Sequence, residues 1–232
     1  MDQRFVGEGA IVAQEFAGDL ESGGFPGPEL WKSPRPIRFA SDWQGENEDL
    51  ARETQVRALW NPESLFLQFV CRYRTLTTFE ESDANGRRDQ LWDRDVAEVF
   101  LQTDPGRPRR YLEFEISPNG MWIDLDISPE GKSNPRSGMK SHVVLTESEK
   151  LWTATMALPM SALEKHFDPD SQWRVNFFRV EGAAEPRFYS CWRPTYTPQP
   201  NFHVPEAFGL LRFQRTWGNG NAFASHERFR PA

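Results

Sequence analysis

Apolar and polar side chains alternate with a period of two in runs of four to ten residues bounded by Gly, Pro, Asn or Asp, a pattern that predicts strands. The runs lie at Glu53–Trp60, Ser64–Tyr73, Asp95–Gln102, Arg110–Ser117, Met121–Ile127, His142–Thr146, Leu151–Leu158, Trp173–Glu181, Phe188–Arg193 and Gly209–Gln214. Asn61-Pro62-Glu63-Ser64 and Ser117-Pro118-Asn119-Gly120 each separate two such runs, and their residue types predict hairpin turns. Helical character is confined to Pro159–Phe167, with Pro near the start as helices tolerate. Many short strands with one short helix predict an all-β fold, an antiparallel two-sheet β-sandwich. No repeat or composition break divides residues 1–232, which read as one domain. The Pro-rich stretches 18–36 and 193–206 read as ordered loops wrapping the sheets, and 219–232 as a loose tail.

Period two also sorts side chains onto faces. Leu112, Phe114 and Ile116 share one face of their strand, Tyr111, Glu113 and Glu115 the other; Val99 and Leu101 alternate with Glu98 and Phe100. In the next strand Ile123, Leu125 and Ile127 alternate with Trp122, Asp124 and Asp126. With the apolar sets turned inward together, the expected outer face carries Glu98, Tyr111, Glu113, Glu115, Trp122, Asp124 and Asp126. Such a face is rich in carboxylates and aromatic rings and poor in lysine.

Charge narrows the partners. With 27 Lys plus Arg against 34 Asp plus Glu the net charge is −7, the opposite of what phosphate backbones or anionic membrane surfaces attract. Neither nucleic acid nor membrane is therefore expected as a partner. A neutral or cationic small ligand fits the sign, and neutral sugars are one such class. No run approaches the roughly 18 apolar residues of a bilayer-spanning helix. Residues 1–16 lack the basic and apolar regions of a secretory leader, so localisation stays open between a secreted and a cytoplasmic protein. Nine Trp are more than a core of this size hides, because so bulky a ring is rarely fully buried. Cys71 and Cys191 sit in neither a CxxC nor a zinc spacing. They read as two buried free thiols, with one disulfide as the alternative.

Leu91-Trp92-Asp93-Arg94-Asp95-Val96-Ala97-Glu98-Val99-Phe100 resembles the W-x-x-D-x-x-E-[VI]-F segment of family 9 carbohydrate-binding modules and their stand-alone relatives. Four further blocks agree in order: Arg110–Gly120, Trp173–Arg179, Tyr189–Pro194 and Asn201–Leu211. The resemblance spans about residues 31–213. It implies a lectin-like, jelly-roll type of β-sandwich in which two Trp rings enclose a terminal sugar while polar side chains hydrogen-bond its hydroxyls. By position it implies Trp92 as one platform, Glu98 as an acceptor, Trp192 as the second platform and Arg110 as a polar contact. It further implies a polysaccharide ligand such as xylan or cellulose, and a carbohydrate-active enzyme as partner. Calcium occurs in family members, without ligands that can be placed here. The chemistry is sound: the C–H faces of a pyranose stack on indole, and Glu or Arg supplies hydrogen bonds in the plane of its hydroxyls.

Other readings stay open. Trp122 alternates onto the acidic face and is another candidate platform, and His203 either anchors its loop or lines the sugar site. Glu98 would otherwise be a buried carboxylate paired with Arg110 or Arg179. Paired carboxylates among Glu98, Glu113, Glu115, Asp124 and Asp126 are what glycoside hydrolysis of a xylanase type would use. The same oxygens could hold calcium, although six to eight ligands are needed and no EF-hand-like loop occurs. The related fold also includes haem- or partner-binding modules, and haem would need an axial His or Met. No GxGxxG, P-loop, GxSxG or HExxH motif is present.

Overall fold

The computed structural model describes residues 9–216, so the tail expected at 219–232 lies outside the described residues. Thirteen strands are present among them: β1 (Ala10–Glu15), β2 (Ile37–Phe39), β3 (Thr54–Asn61), β4 (Ser64–Arg72), β5 (Val96–Gln102), β6 (Tyr111–Ile116), β7 (Trp122–Ser128), β8 (Gly131–Ser133), β9 (Lys140–Thr146), β10 (Leu151–Pro159), β11 (Trp173–Glu181), β12 (Phe188–Cys191) and β13 (Gly209–Gln214). The expected helix is a single turn, α1 (Met160–Leu163). Both hairpin turns form as their residues dictate. Asn61 Oδ1 accepts from the backbone N–H groups of Glu63 and Ser64 at 3.0 and 2.8 Å. Gly120 takes φ 87°, where a side chain would be strained, and lets Ser117 N–H reach the Met121 carbonyl at 2.8 Å.

The strands do not split into two separate antiparallel sheets. They form one curled mixed sheet, a half-barrel, in the order β8-β7-β6-β5-β11-β13-β1-β3-β4-β10-β9. β12 adds to β11, and β2 adds to β3. Each half is antiparallel, but β1 runs parallel to both β13 and β3 and joins them. β1 escaped the sequence pattern because Ala10-Ile11-Val12-Ala13 is apolar without alternation, so period two gives no signal there.

The curl brings the two halves face to face across the main core. Val56, Leu65, Leu67, Phe69, Trp152 and Met156 come from one half, and Val99, Phe114, Ile116, Trp173, Val175 and Phe177 from the other. Phe69 meets Phe177 edge-on at 5.8 Å. Arg179 is buried among them with its guanidinium 5.0 Å from the Trp152 ring, donating to the Val96 and Val180 carbonyls. The stretch 18–36 covers the back of the β3–β4–β10 half, where Phe25, Leu30 and Trp31 pack with Phe16, Leu59 and Phe66.

Cys71 lies in the main core and Cys191 in a separate cluster with Phe100 and Phe178, so both are free thiols and the disulfide alternative falls. Burial pushes their thiols up to about 11 and about 12 respectively. Neither should react with a thiol-specific chromogenic disulfide in the native protein at pH 8, and both should react once denaturant is added.

Trp192 lies across Gly209, where an added Cβ would stand 2.7 Å from the indole and 3.0 Å from the Gly9 carbonyl oxygen. Gly209→Ala should therefore cost about 1–3 kcal/mol through overpacking, read as a lower denaturation midpoint.

Candidate functional site

Register decides which side chains meet. Glu98 pairs with Glu115, Phe100 with Glu113, Glu113 with Leu125 and Glu115 with Ile123. On the other side of β5, Glu98 pairs with Phe178 of β11, which pairs with Cys191 of β12. One face of this half therefore carries Glu98, Phe100, Tyr111, Glu113, Glu115, Ile123, Leu125, Ile127 and Phe178. It is the face turned away from the main core. The chain covers it with two loops and leaves a cavity of about 370 Å³.

The first loop brings Trp92. Leu91 is fully buried and anchors a 3₁₀ turn over Leu91–Asp93, with Gln90 in the left-handed region at φ 57°. Asp95 fixes the far end, accepting from Gly182 N–H at 2.7 Å. Arg187 ties both together by donating to the carbonyls of Trp92 and, at 3.3 Å, Arg94. The second loop is the Pro-rich stretch 193–206. Phe202 stacks on Phe178 at 4.3 Å, and His203 stacks on Phe100 at 5.2 Å while its Nδ1 shares a 2.6 Å hydrogen bond with the Tyr111 hydroxyl.

The cavity is thus walled by Trp92, Phe100, Tyr189, Phe202 and His203, with Glu98 and Glu113 in its wall and Lys132 and Arg187 at its edge. Lys132 places its ammonium 4.4 Å from the centre of the Trp92 ring, a cation–π contact.

The comparisons bear on this arrangement. A search of protein-family models finds no match. An "Extracellular protein" of Arthroderma benhamiae is 26% identical over 178 residues, covering 69% of this chain and 78% of that one. A Bacteroides uniformis protein proposed to bind carbohydrate superposes with a TM-score of 0.69 at 17% identity, over 89% of this chain and 99% of its own. Family 9 carbohydrate-binding modules of Caldicellulosiruptor kristjanssonii, solved with cellotriose and with glucose, each give a TM-score of 0.62 at 11% identity. They cover 96% and 92% of this chain and all of their own. The chain has the family 9 carbohydrate-binding module fold.

Within that fold the residues singled out by sequence separate into two groups. Trp92, Glu98 and His203 converge on the cavity. Trp192, Trp122 and Arg110 do not. Trp192 packs against the main core, 5.9 Å from the Phe177 ring, and is not among the residues lining the cavity that Trp92 enters. Trp122 pairs with Ile116 on the opposite face of the sheet, its indole N–H donating to the Asn85 carbonyl at 3.0 Å. Arg110 is engaged with Asp126 at 2.6 Å, on that same opposite side. Glu98 therefore pairs with neither Arg110 nor Arg179, whose guanidinium stands 3.6 Å from Glu181 in the core.

The expected acidic face is corrected in the same way. Asp124 and Asp126 lie on the core-facing side of β7, and Asp124 is buried against Arg87 at 3.2 Å and Ser137 at 2.7 Å. Of the carboxylates considered for hydrolysis, Asp124 and Asp126 thus lie on the face opposite to Glu98, Glu113 and Glu115. Sequence reasoning missed Tyr189, Phe202, Lys132 and Arg187 as cavity residues. Period two already placed Phe100 beside Glu98, but Arg187 and Phe202 lie in loops, which carry no such signal, and Lys132 lies in a strand of three residues.

Three glutamates stay together. Glu98 and Glu113 are 3% exposed and Glu115 is 0% exposed. Burial, and then the neighbouring Glu113, holds the Glu98 carboxyl well above the ordinary carboxylate range. Burial, then Glu98 and Glu113, does the same to Glu115.

A carboxyl raised in the folded chain contributes stability, relative to its ionised form, that is fully present only where both the folded and the unfolded chain hold the proton. That stabilisation is complete at low pH and disappears as pH rises through the folded-state values. Asp49, Glu130 and Glu185, held low by their hydrogen bonds, act in the opposite sense, contributing stability that is lost as pH falls below the ordinary carboxylate range. The cation-free protein should therefore melt at a lower temperature at pH 8 than at pH 5. Glu115→Gln should flatten that slope in a thermal scan.

Proposed function

We propose that the chain binds a saccharide, without transforming it, in the cavity walled by Trp92, Glu98 and Glu113. One observation carries this reading: Trp92 and Glu98, six residues apart, come from a loop and a strand to line one cavity, in a fold whose neighbours were solved with cellotriose and glucose. The half-exposed Trp92 supplies the stacking face for pyranose C–H groups. Glu98 and Glu113 accept from hydroxyls, and His203, which lines the same cavity, is a donor for them. Tyr189 and Phe202, which line the same cavity, are the other aromatic surfaces in reach of a ring stacked on Trp92, and Trp192 does not line it.

Lys132 already lies on Trp92 and is exposed, so a sugar ring takes that face by moving an exposed side chain. Because a sugar surrenders hydration for each hydrogen bond it gains, a single-ring site of this kind binds weakly. The extracellular description of the Arthroderma relative suits such a ligand, since polysaccharides are met outside the cell.

Titration calorimetry with glucose, cellotriose and xylo-oligosaccharides tests the proposal. Trp92→Ala should weaken binding at least about tenfold, a loss of about 1.4 kcal/mol, with the melting temperature within about 3 °C of the parent, about 1 kcal/mol or less in a chain of this size. Unchanged affinity in that variant, or release of reducing sugar from the ligand, would sink it.

A further inference from the structure

We infer that the chain has a second saccharide site, for a sugar that carries a carboxylate, in a cavity of about 550 Å³ lined by Trp122, Arg136 and Lys140. This cavity shares no lining residue with the one at Trp92. Trp122 and Asp124, which line it, lie on the opposite face of β7 from Leu125 and Ile127, which line the other.

The Trp122 ring is fixed before any ligand arrives. Its indole N–H donates to the Asn85 carbonyl, its backbone N–H to the Gly86 carbonyl at 3.1 Å, and its carbonyl accepts from Arg88 N–H at 2.9 Å. Gly86, at φ 84°, lets the 85–88 turn lie against the indole, where an added Cβ would stand 3.6 Å from Cδ1 and Nε1. The side chain is still half-exposed. A pre-positioned indole offers its face to pyranose C–H groups without a further ordering cost.

Charge is the independent observation. Asp124 is buried and accepts from Arg87 Nε at 3.2 Å and from the Ser137 N–H and hydroxyl at 2.8 and 2.7 Å. Arg87 also meets Asp89 at 2.8 Å, so both of these lining charges are engaged. Ser137, held on Asp124, anchors the loop that carries Arg136. There Arg136 takes φ 51°, a left-handed conformation that costs a side-chain-bearing residue free energy and points to function. The Arg136 guanidinium and the Lys140 ammonium are exposed, and neither has a hydrogen bond or ion pair among the described residues.

The lining therefore sets three cations against one acid, leaving two positive charges beside an aromatic ring in a chain of net charge −7. A neutral sugar would leave those charges unused, and the negative field of the whole chain opposes a large polyanion. One carboxylate on a pyranose satisfies both cations, the guanidinium through its planar fork and the ammonium as a point charge. Asn85 and Asn134, also in the lining, suit hydroxyls, since an amide both donates and accepts.

The test follows the indole N–H resonance of Trp122, sequentially assigned, in the nitrogen-15-labelled whole chain at about 20 mM salt, where exposed charges are little screened. Methyl β-glucuronide should shift that resonance saturably, and methyl β-glucoside should leave it in place. Arg136→Gln/Lys140→Gln should weaken the glucuronide response at least about tenfold. Its melting temperature should stay within about 2 °C of the parent, because both side chains are exposed and unpaired.

An unmoved Trp122 resonance in the parent would overturn the proposal, as would an undiminished response in the double variant. Sulfate that shifts the resonance at the same concentrations as the glucuronide would overturn it too, since the site would then read charge without the sugar. The shift is read at Trp122, which lies outside the Trp92 cavity, so failure here leaves the first saccharide reading standing, and the reverse.

Discussion

The register between β5, β6 and β7 is the constraint on which the rest of the site depends. Each strand has two faces, and a shift of one residue would exchange them. In the observed pairing Val99, Phe114 and Ala97 turn into the main core while Glu98, Glu113 and Glu115 turn the other way as neighbours. Glu98 and Glu115 form a cross-strand pair with Glu113 two residues along the same strand face, and three carboxylates so placed repel one another. The hydrophobic gain on the opposite face holds them there. The acidic floor is thus a consequence of core packing, and its electrostatic tension is what any bound proton, ion or hydroxyl would relieve.

That face becomes a site only because two loops roof it. Leu91 and Asp95 fix the loop carrying Trp92, and Phe202 and His203 pin the Pro-rich loop by stacking on Phe178 and Phe100. Arg187 spends its guanidinium on backbone carbonyls of the first loop. A charged side chain here acts as a brace, which leaves the glutamates without an ion-pair partner. Rigidity at the rim and the raised carboxyls of the floor are linked through that one residue.

Parallel pairing of β1 with both β3 and β13 has a different consequence. It turns two antiparallel halves into one continuous sheet and curls them around a shared core. The sheet interior then needs no covering layer, so helix is almost absent among the described residues. The outer faces are left for loops: residues 18–36 on one half and 193–206 on the other. The second of these faces carries the cavity.

Local pattern was enough to determine ten of the thirteen strands among the described residues, both hairpin turns, the wrapping loops and the Trp92–Glu98 spacing, because alternation and turn chemistry act over a few residues. Three strands escaped it: β1 lacks alternation, and β2 and β8 are three residues long. Only tertiary structure decided which faces meet. Ile123, Leu125 and Ile127 looked like core partners of Phe114, yet they lie beside the glutamates, and Trp122 and Asp124 lie on the core side. Trp192 carried the family's spacing but packs against Phe177 and over Gly209. A sequence states which side chains alternate along one strand. The relative phase of two strands is set by hydrogen bonds and packing between residues far apart in the chain, and that phase determined both the acidic cluster and the company Trp92 keeps.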